Sequence, residues 1–275
     1  MAELGAMDQA AGLRRLFGNR SARTVSLVHV RRHDAAAVTL ARTANALAAH
    51  GQTVVVVDEH RGPNSVTAMT GQTVRHDLFD AFIGECDLSD VFLTVTPKIK
   101  VVPAARAARE FGGGEVDIEA RMAACMAELG VKAGFVLLDA QLRQGDLSML
   151  AKATDHLAIV TRPVGQGITD TYALIKRQGV HGGRKVFHLV LEGVGDSLIE
   201  AGEARTIVQN LRTTAHKHLQ AELNHLGSID DESADDLADG LLTRLPGSES
   251  RHAKSGNVVR LRGMFGPSGL FESVV

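Results

Sequence analysis

The chain has 275 residues, 44% of them hydrophobic, enough to bury a real core in one large or two small domains. Its 30 Lys+Arg against 32 Asp+Glu leave a net charge of -2, which excludes an overall pull toward nucleic acid or anionic lipid. Cys86 and Cys125 lie far apart without metal-type spacing and read as reduced thiols, no apolar run reaches membrane-spanning length, and the start, Met1 to Asp8, lacks a secretion signal.

Residues 1–22 stand ahead of the first strand. Leu13, Leu16 and Phe17 recur there at helical spacing, with Arg14 and Arg15 between them. An isolated helix below about 12–15 residues rarely holds, so this one must pack on its own domain or on a partner. Thr24 to Val30 reads as a strand, Ala35 to His50 as an Ala-rich helix, and Thr53 to Asp58 as a buried parallel strand ending in a carboxylate. Further strands are predicted at Ile99–Pro103, Phe135–Asp139, His156–Thr161 and Val186–Leu191, with a weaker seventh near Ala221–Leu226. Helices are predicted at Asp117–Leu129, Gln166–Gln178 and Glu200–Gln220. The acidic run Asp230, Asp231, Glu232, Asp235, Asp236 and Asp239 reads as a solvated helix start, where carboxylates complement the dipole. From Pro246 the composition turns rich in Gly and Ser. Val/Ile/Leu-rich strands alternating with helices imply an α/β fold, a mostly parallel, doubly wound sheet flanked by helices in three Rossmann-like layers.

The connection from the first strand to the first helix is Val30-Arg31-Arg32-His33-Asp34-Ala35-Ala36-Ala37. In a nucleotide-binding unit of this layout, that position carries glycines whose backbone N–H groups cradle phosphate, a lysine for the β/γ-phosphates and a hydroxyl for magnesium. None of the three is present, and Asp34 would repel phosphate. Arg31, Arg32 and His33 are expected to form an ordinary solvated basic cluster. Asp58 and Asp139, at strand C-termini, are expected to accept hydrogen bonds rather than hold magnesium. His216 and His218, two apart on a helix, point in different directions, and no metal site is expected.

Several stretches resemble the MinD/ParA-like P-loop ATPases, specifically flagellar number regulators of the FlhG/FleN type. Asp8-Gln9-Ala10-Ala11-Gly12-Leu13-Arg14 resembles an N-terminal DQA-x-x-LR motif. Asp77 to Gly84 with Leu88 to Val91, and Val101 to Ala104, resemble two weaker family stretches. Thr169 to Lys176 is close to a TDAYALIK signature and is the most specific match. On this alignment the loop GKGGVGKT falls on Val30–Ala37, so the signature lysine becomes Arg31, the second lysine Ala36 and the magnesium-binding threonine Ala37. Asp58 keeps the first carboxylate of a D-x-D pair whose second falls on His60. Asp139 keeps the Walker B carboxylate, and Glu192 replaces an adenine-contacting asparagine.

The resemblance implies three parts: a partner-recognition segment over 1–22, a MinD-like α/β domain over 23–245 and a flexible tail over 246–275. It implies a regulator of flagellar placement or number that works by protein contact, with a degenerate nucleotide pocket and no cofactor. The expected partner is an FlhF-type, signal-recognition-particle-like GTPase, with the flagellar C-ring and the flagellar transcription activator as further candidates. Partner contacts are expected at Asp8, Gln9, Leu13, Arg14, Leu16 and Phe17, and at Asp170, Tyr172 and Lys176. The chain is expected in the cytoplasm or peripherally at the inner membrane face or cell pole, with membrane association weak or indirect. Relatives end in an amphipathic membrane-targeting helix, for which Val258, Leu261 and Phe265 are a short, Gly-interrupted candidate, but a disordered or domain-docked tail is the favoured reading. It should be a monomer or an ATP-independent dimer that does not bind nucleic acid directly. The alternative is a divergent MinD/ParA-like ATPase in flagellar or other cellular positioning, which would take ATP and magnesium.

Overall fold

The computed structural model describes residues 22–110, 125, 128–130, 133–180, 182–193, 201–230 and 233–245. The expected helix at Asp117–Leu129, the segment 1–21 and the tail from residue 246 lie outside these residues or nearly so. In chain order the first elements are β1 (Arg23–His29), α1 (Ala36–Ala49), β2 (Val54–Asp58), α2 (Val66–Met69), α3 (Leu78–Ile83) and α4 (Leu88–Val91). They are followed by β3 (Leu93–Thr96), β4 (Ile99–Pro103), α5 (Ala107–Glu110), β5 (Phe135–Ala140), the small strands β6 (Leu142–Arg143) and β7 (Asp146–Leu147), and α6 (Met149–Ala153). Then come β8 (His156–Thr161), α7 (Gln166–Val180), β9 (Val186–Glu192), α8 (Ala201–Leu219), β10 (Glu222–Ile229) and α9 (Asp235–Arg244).

Eight strands form one sheet in the order β10-β9-β8-β1-β5-β2-β4-β3, all parallel except the antiparallel β3–β4 pair. The central strands are buried throughout because Val, Leu and Phe point to both faces. On one face α1 lays Ala37, Leu40, Ala44 and Leu47 against Val25, Leu27, Val54 and Val56, and α9 adds Leu237 and Leu241. On the other, Leu78 and Phe82 of α3, Leu174 and Ile175 of α7 and Leu211 of α8 cover Val28, Val55, Val136 and Leu189. Parallel crossovers are right-handed as a rule, and they bring the C-termini of the seven mutually parallel strands and their following loops to one rim.

Six strands expected from the sequence are present with nearly the expected bounds, and the weaker seventh runs longer, from Glu222 to Ile229. The acidic run does open a helix, α9, with Asp235 and Asp236 in its first turn. Four-residue β3 and the two-residue strands β6 and β7 were not anticipated, since so few residues carry no period. α9 sits unusually low on β10. A Cβ on Gly240 would lie 1.6 Å from the Leu226 carbonyl oxygen, and one on Gly227 would lie 2.7 Å from the Leu237 Cα.

Candidate functional site

Asp58 ends β2, Asp139 is the last residue but one of β5, and the two stand directly opposite each other in the parallel register. Both are fully buried. Two carboxylates side by side in a dry sheet edge repel unless something compensates them. For Asp58 the compensation is backbone: its oxygens accept the N–H groups of His60 at 3.0 Å and Thr67 at 2.7 Å. For Asp139 it is a cation. The Arg32 Nη1 donates to both Asp139 oxygens at 2.8 and 3.0 Å, while Nη2 donates to the Asn64 carbonyl at 3.1 Å.

The neighbouring loop residues behave likewise. Arg31 Nε lies 2.7 Å from Asp170 Oδ2, and the His33 Nε2 lies 2.5 Å from Glu192 Oε2. The second Glu192 oxygen accepts the Thr39 hydroxyl at 3.0 Å, and Arg162 Nε approaches the first at 3.6 Å. Asp34 Oδ1 accepts the Asn64 amide at 2.7 Å. The expectation of a solvated basic cluster is therefore corrected: Arg31, Arg32 and His33 each meet a carboxylate far away in sequence. The parallel crossovers deliver β5, α7 and β9 to the same rim, and local pattern carries no trace of that. Val30 packs on the core, Asp34 and Ala35 are exposed, and Ala36 and Ala37 are buried methyl groups at the start of α1.

Burial sets the protonation of this centre. Asp139 is pushed up to about 7, first by desolvation and then by Asp58, against the pull of Arg32. Glu59 is also pushed up to about 7 by desolvation, although it accepts hydrogen bonds from the Ser148 hydroxyl and the Gln141 N–H. His29 and His60 are pushed down to about 4, chiefly by desolvation. Sequence reasoning missed His29, Glu59, Asn64 and Ser148; only Glu59, beside Asp58, carried any signal.

A pH prediction follows for Glu59. Its folded pKa lies above the ordinary value of 4.5, so its stabilising contribution is complete below that value and is lost as pH rises through about 7. Glu59→Gln keeps an acceptor for Gln141 and pairs with Ser148 without titrating. The variant should match the parent near pH 5 and exceed it by roughly 2–3 kcal/mol at pH 8 in urea denaturation. A constant difference across that range would show that Glu59 does not take up a proton on folding.

A cavity of about 430 Å³ separates this loop from the ends of β8 and β9 and the start of α7, lined by Arg31, Arg32, His33, Arg162 and Glu192 among others. Of the residues expected on a partner surface, Lys176 is exposed, Tyr172 packs in part against the core and Asp170 is the partner of Arg31. Asp8, Gln9, Leu13, Arg14, Leu16 and Phe17 lie outside the described residues. No helix among the described residues is long and apolar enough to cross a membrane.

No protein-family model matches the chain. Among solved structures, the MinC:MinD cell division complex of Aquifex aeolicus superposes with TM-score 0.55 at 17% identity, over 83% of this chain and 91% of that one. The Pyrococcus furiosus cell division ATPase MinD gives TM-score 0.55 at 18% identity, over 81% and 99%. The eight-stranded sheet with a strand–loop–helix opening and carboxylates at the strand ends is the MinD/ParA-like form of the P-loop NTPase fold. The antiactivator FleN of Pseudomonas aeruginosa is 27% identical over 185 residues, 67% of this chain and 65% of that protein's length, short of two thirds of it.

Proposed function

We propose that this chain is a non-catalytic FlhG/FleN-type regulator of flagellar placement or number, acting through protein contacts and without a nucleotide cycle. The observation that carries the reading is the Arg32 guanidinium seated on Asp139. Magnesium-ATP does not fit the residues present. Asp139 already binds a cation of the chain, and both Asp58 oxygens hold backbone N–H groups. The loop lacks glycine, so its backbone lacks the freedom to turn successive N–H groups onto a phosphate. Where lysine and a magnesium-binding hydroxyl would stand, the chain buries the methyl groups of Ala36 and Ala37.

The relative's name, antiactivator, supports contact with an activator protein, which on the family resemblance is the flagellar transcription activator. The DQA-type segment at Asp8–Arg14 supports contact with an FlhF-type GTPase, in which Leu13, Leu16 and Phe17 would lie in a groove. Titration calorimetry with magnesium-ATP tests the first half and should give no saturable heat; a dissociation constant in the low micromolar range would refute it. GTP turnover by the FlhF-type protein tests the second and should rise when this chain is added. Unchanged turnover would remove that partner.

A further inference from the structure

A second cleft, also about 430 Å³, opens on the same rim between the β2–α3 connection and the turn after β4. Arg61, Thr67, Val74 and Arg75 line it from the first segment and Arg106 from the second, with Asp77 and Asp80 also in the lining. The acidic groups are satisfied within the fold. Asp77 accepts the N–H groups of Phe79, Arg106 and Ala107, and Asp80 accepts the Asp77 N–H and the Arg106 guanidinium.

Two of the basic groups are not. Arg61 and Arg75 are exposed, and neither has a hydrogen-bond or ion-pair partner among the described residues. Arg106 in this cleft and Arg31, Arg32 and Arg162 elsewhere on the rim all meet carboxylates. The Thr67 hydroxyl, in a residue only 9% exposed, likewise lacks a partner. One large apolar side chain of the lining, Val74, is 44% exposed. The wall is also fixed in advance: Asp58 holds the Thr67 N–H, and Arg32 and Asp34 hold Asn64. A preformed wall reduces the ordering cost of binding.

We propose that this cleft docks an acidic segment of a partner protein, its carboxylates pairing with Arg61 and Arg75 and an aliphatic side chain covering Val74. Arginine suits this task because its planar fork pairs with carboxylates through two parallel bonds. A nucleic acid fits less well, since no Phe, Tyr or Trp among the described residues lines the cleft to stack a base. The inference rests on the reading of a regulator that acts by contact, and it adds where and with what chemistry.

The test is fluorescence anisotropy on the full chain with a short labelled peptide of alternating glutamate and leucine. A lysine–leucine peptide and labelled oligothymidylate serve as comparisons. The glutamate peptide should bind alone among the three and weaken as salt rises. Arg61→Ala with Arg75→Ala should weaken it about tenfold or more, and Thr67→Val by a smaller factor. The melting temperature of the double arginine variant should not change, because both side chains are exposed and unpaired. Equal binding by parent and double variant, or tighter binding of oligothymidylate, would overturn the proposal. These arginines lie outside the loop probed by magnesium-ATP, so the two tests fail separately.

Discussion

Arg32→Ala is expected to lower the free energy of unfolding by about 3–5 kcal/mol at pH 8, the usual cost of leaving a buried charge without its partner. Asp139 is fully buried, and among the described residues Arg32 supplies its charge-assisted bonds, while the His60 Nε2 stands 3.5 Å from Oδ1. The loss should shrink toward pH 5. Without the guanidinium the Asp139 pKa rises further above about 7, so at low pH the carboxyl is neutral and no longer needs a cation. Adding Asp139→Asn should restore most of the stability, since the buried charge then disappears with its partner. Urea denaturation of the two single variants and the double variant at pH 5 and pH 8 measures both effects. Additive losses in the double variant would mean that Arg32 and Asp139 stabilise the fold independently.

Gly240→Ala should cost about 3 kcal/mol or more, the upper range for overpacking, because the new methyl group meets a carbonyl oxygen that cannot rotate away. Leu226 belongs to β10, and Arg244 also donates to its carbonyl at 3.1 Å. To admit the methyl group, α9 would have to lift and withdraw Leu237 and Leu241 from the core. The sign is diagnostic, since the same substitution inside an unobstructed helix stabilises by up to about 1 kcal/mol. Gly202 in α8, with open space around a built Cβ, supplies the control. Gly202→Ala should be neutral or mildly stabilising while Gly240→Ala unfolds at much lower urea.

What the sequence made legible follows from the range of each signal. Runs such as Val54–Val57 and Phe135–Leu138 are continuous because both sheet faces are covered, so the parallel strands could be read directly. The missing glycines and lysine were equally plain. Arg31 and Asp170 are 139 positions apart, however, and His33 and Glu192 are 159 apart. Their pairing comes from the order in which crossovers return strands to the sheet. Glu192 was noted only as a replaced asparagine, and Asp170 only as a surface group, although each anchors the loop after β1. Arg61 and Arg75 were invisible for another reason: an unpaired arginine is recognisable only after the partners of all the others are known.

Both outermost strands of the sheet are irregular. β3 slips register between Thr94 and Thr96, and β10 does so between His225 and Gly227. A bulge twists the row of free amides and carbonyls out of line with any incoming strand. Concentrated solutions should therefore resist stacking into fibrils along either margin, and any partner must approach through side chains rather than by lengthening the sheet.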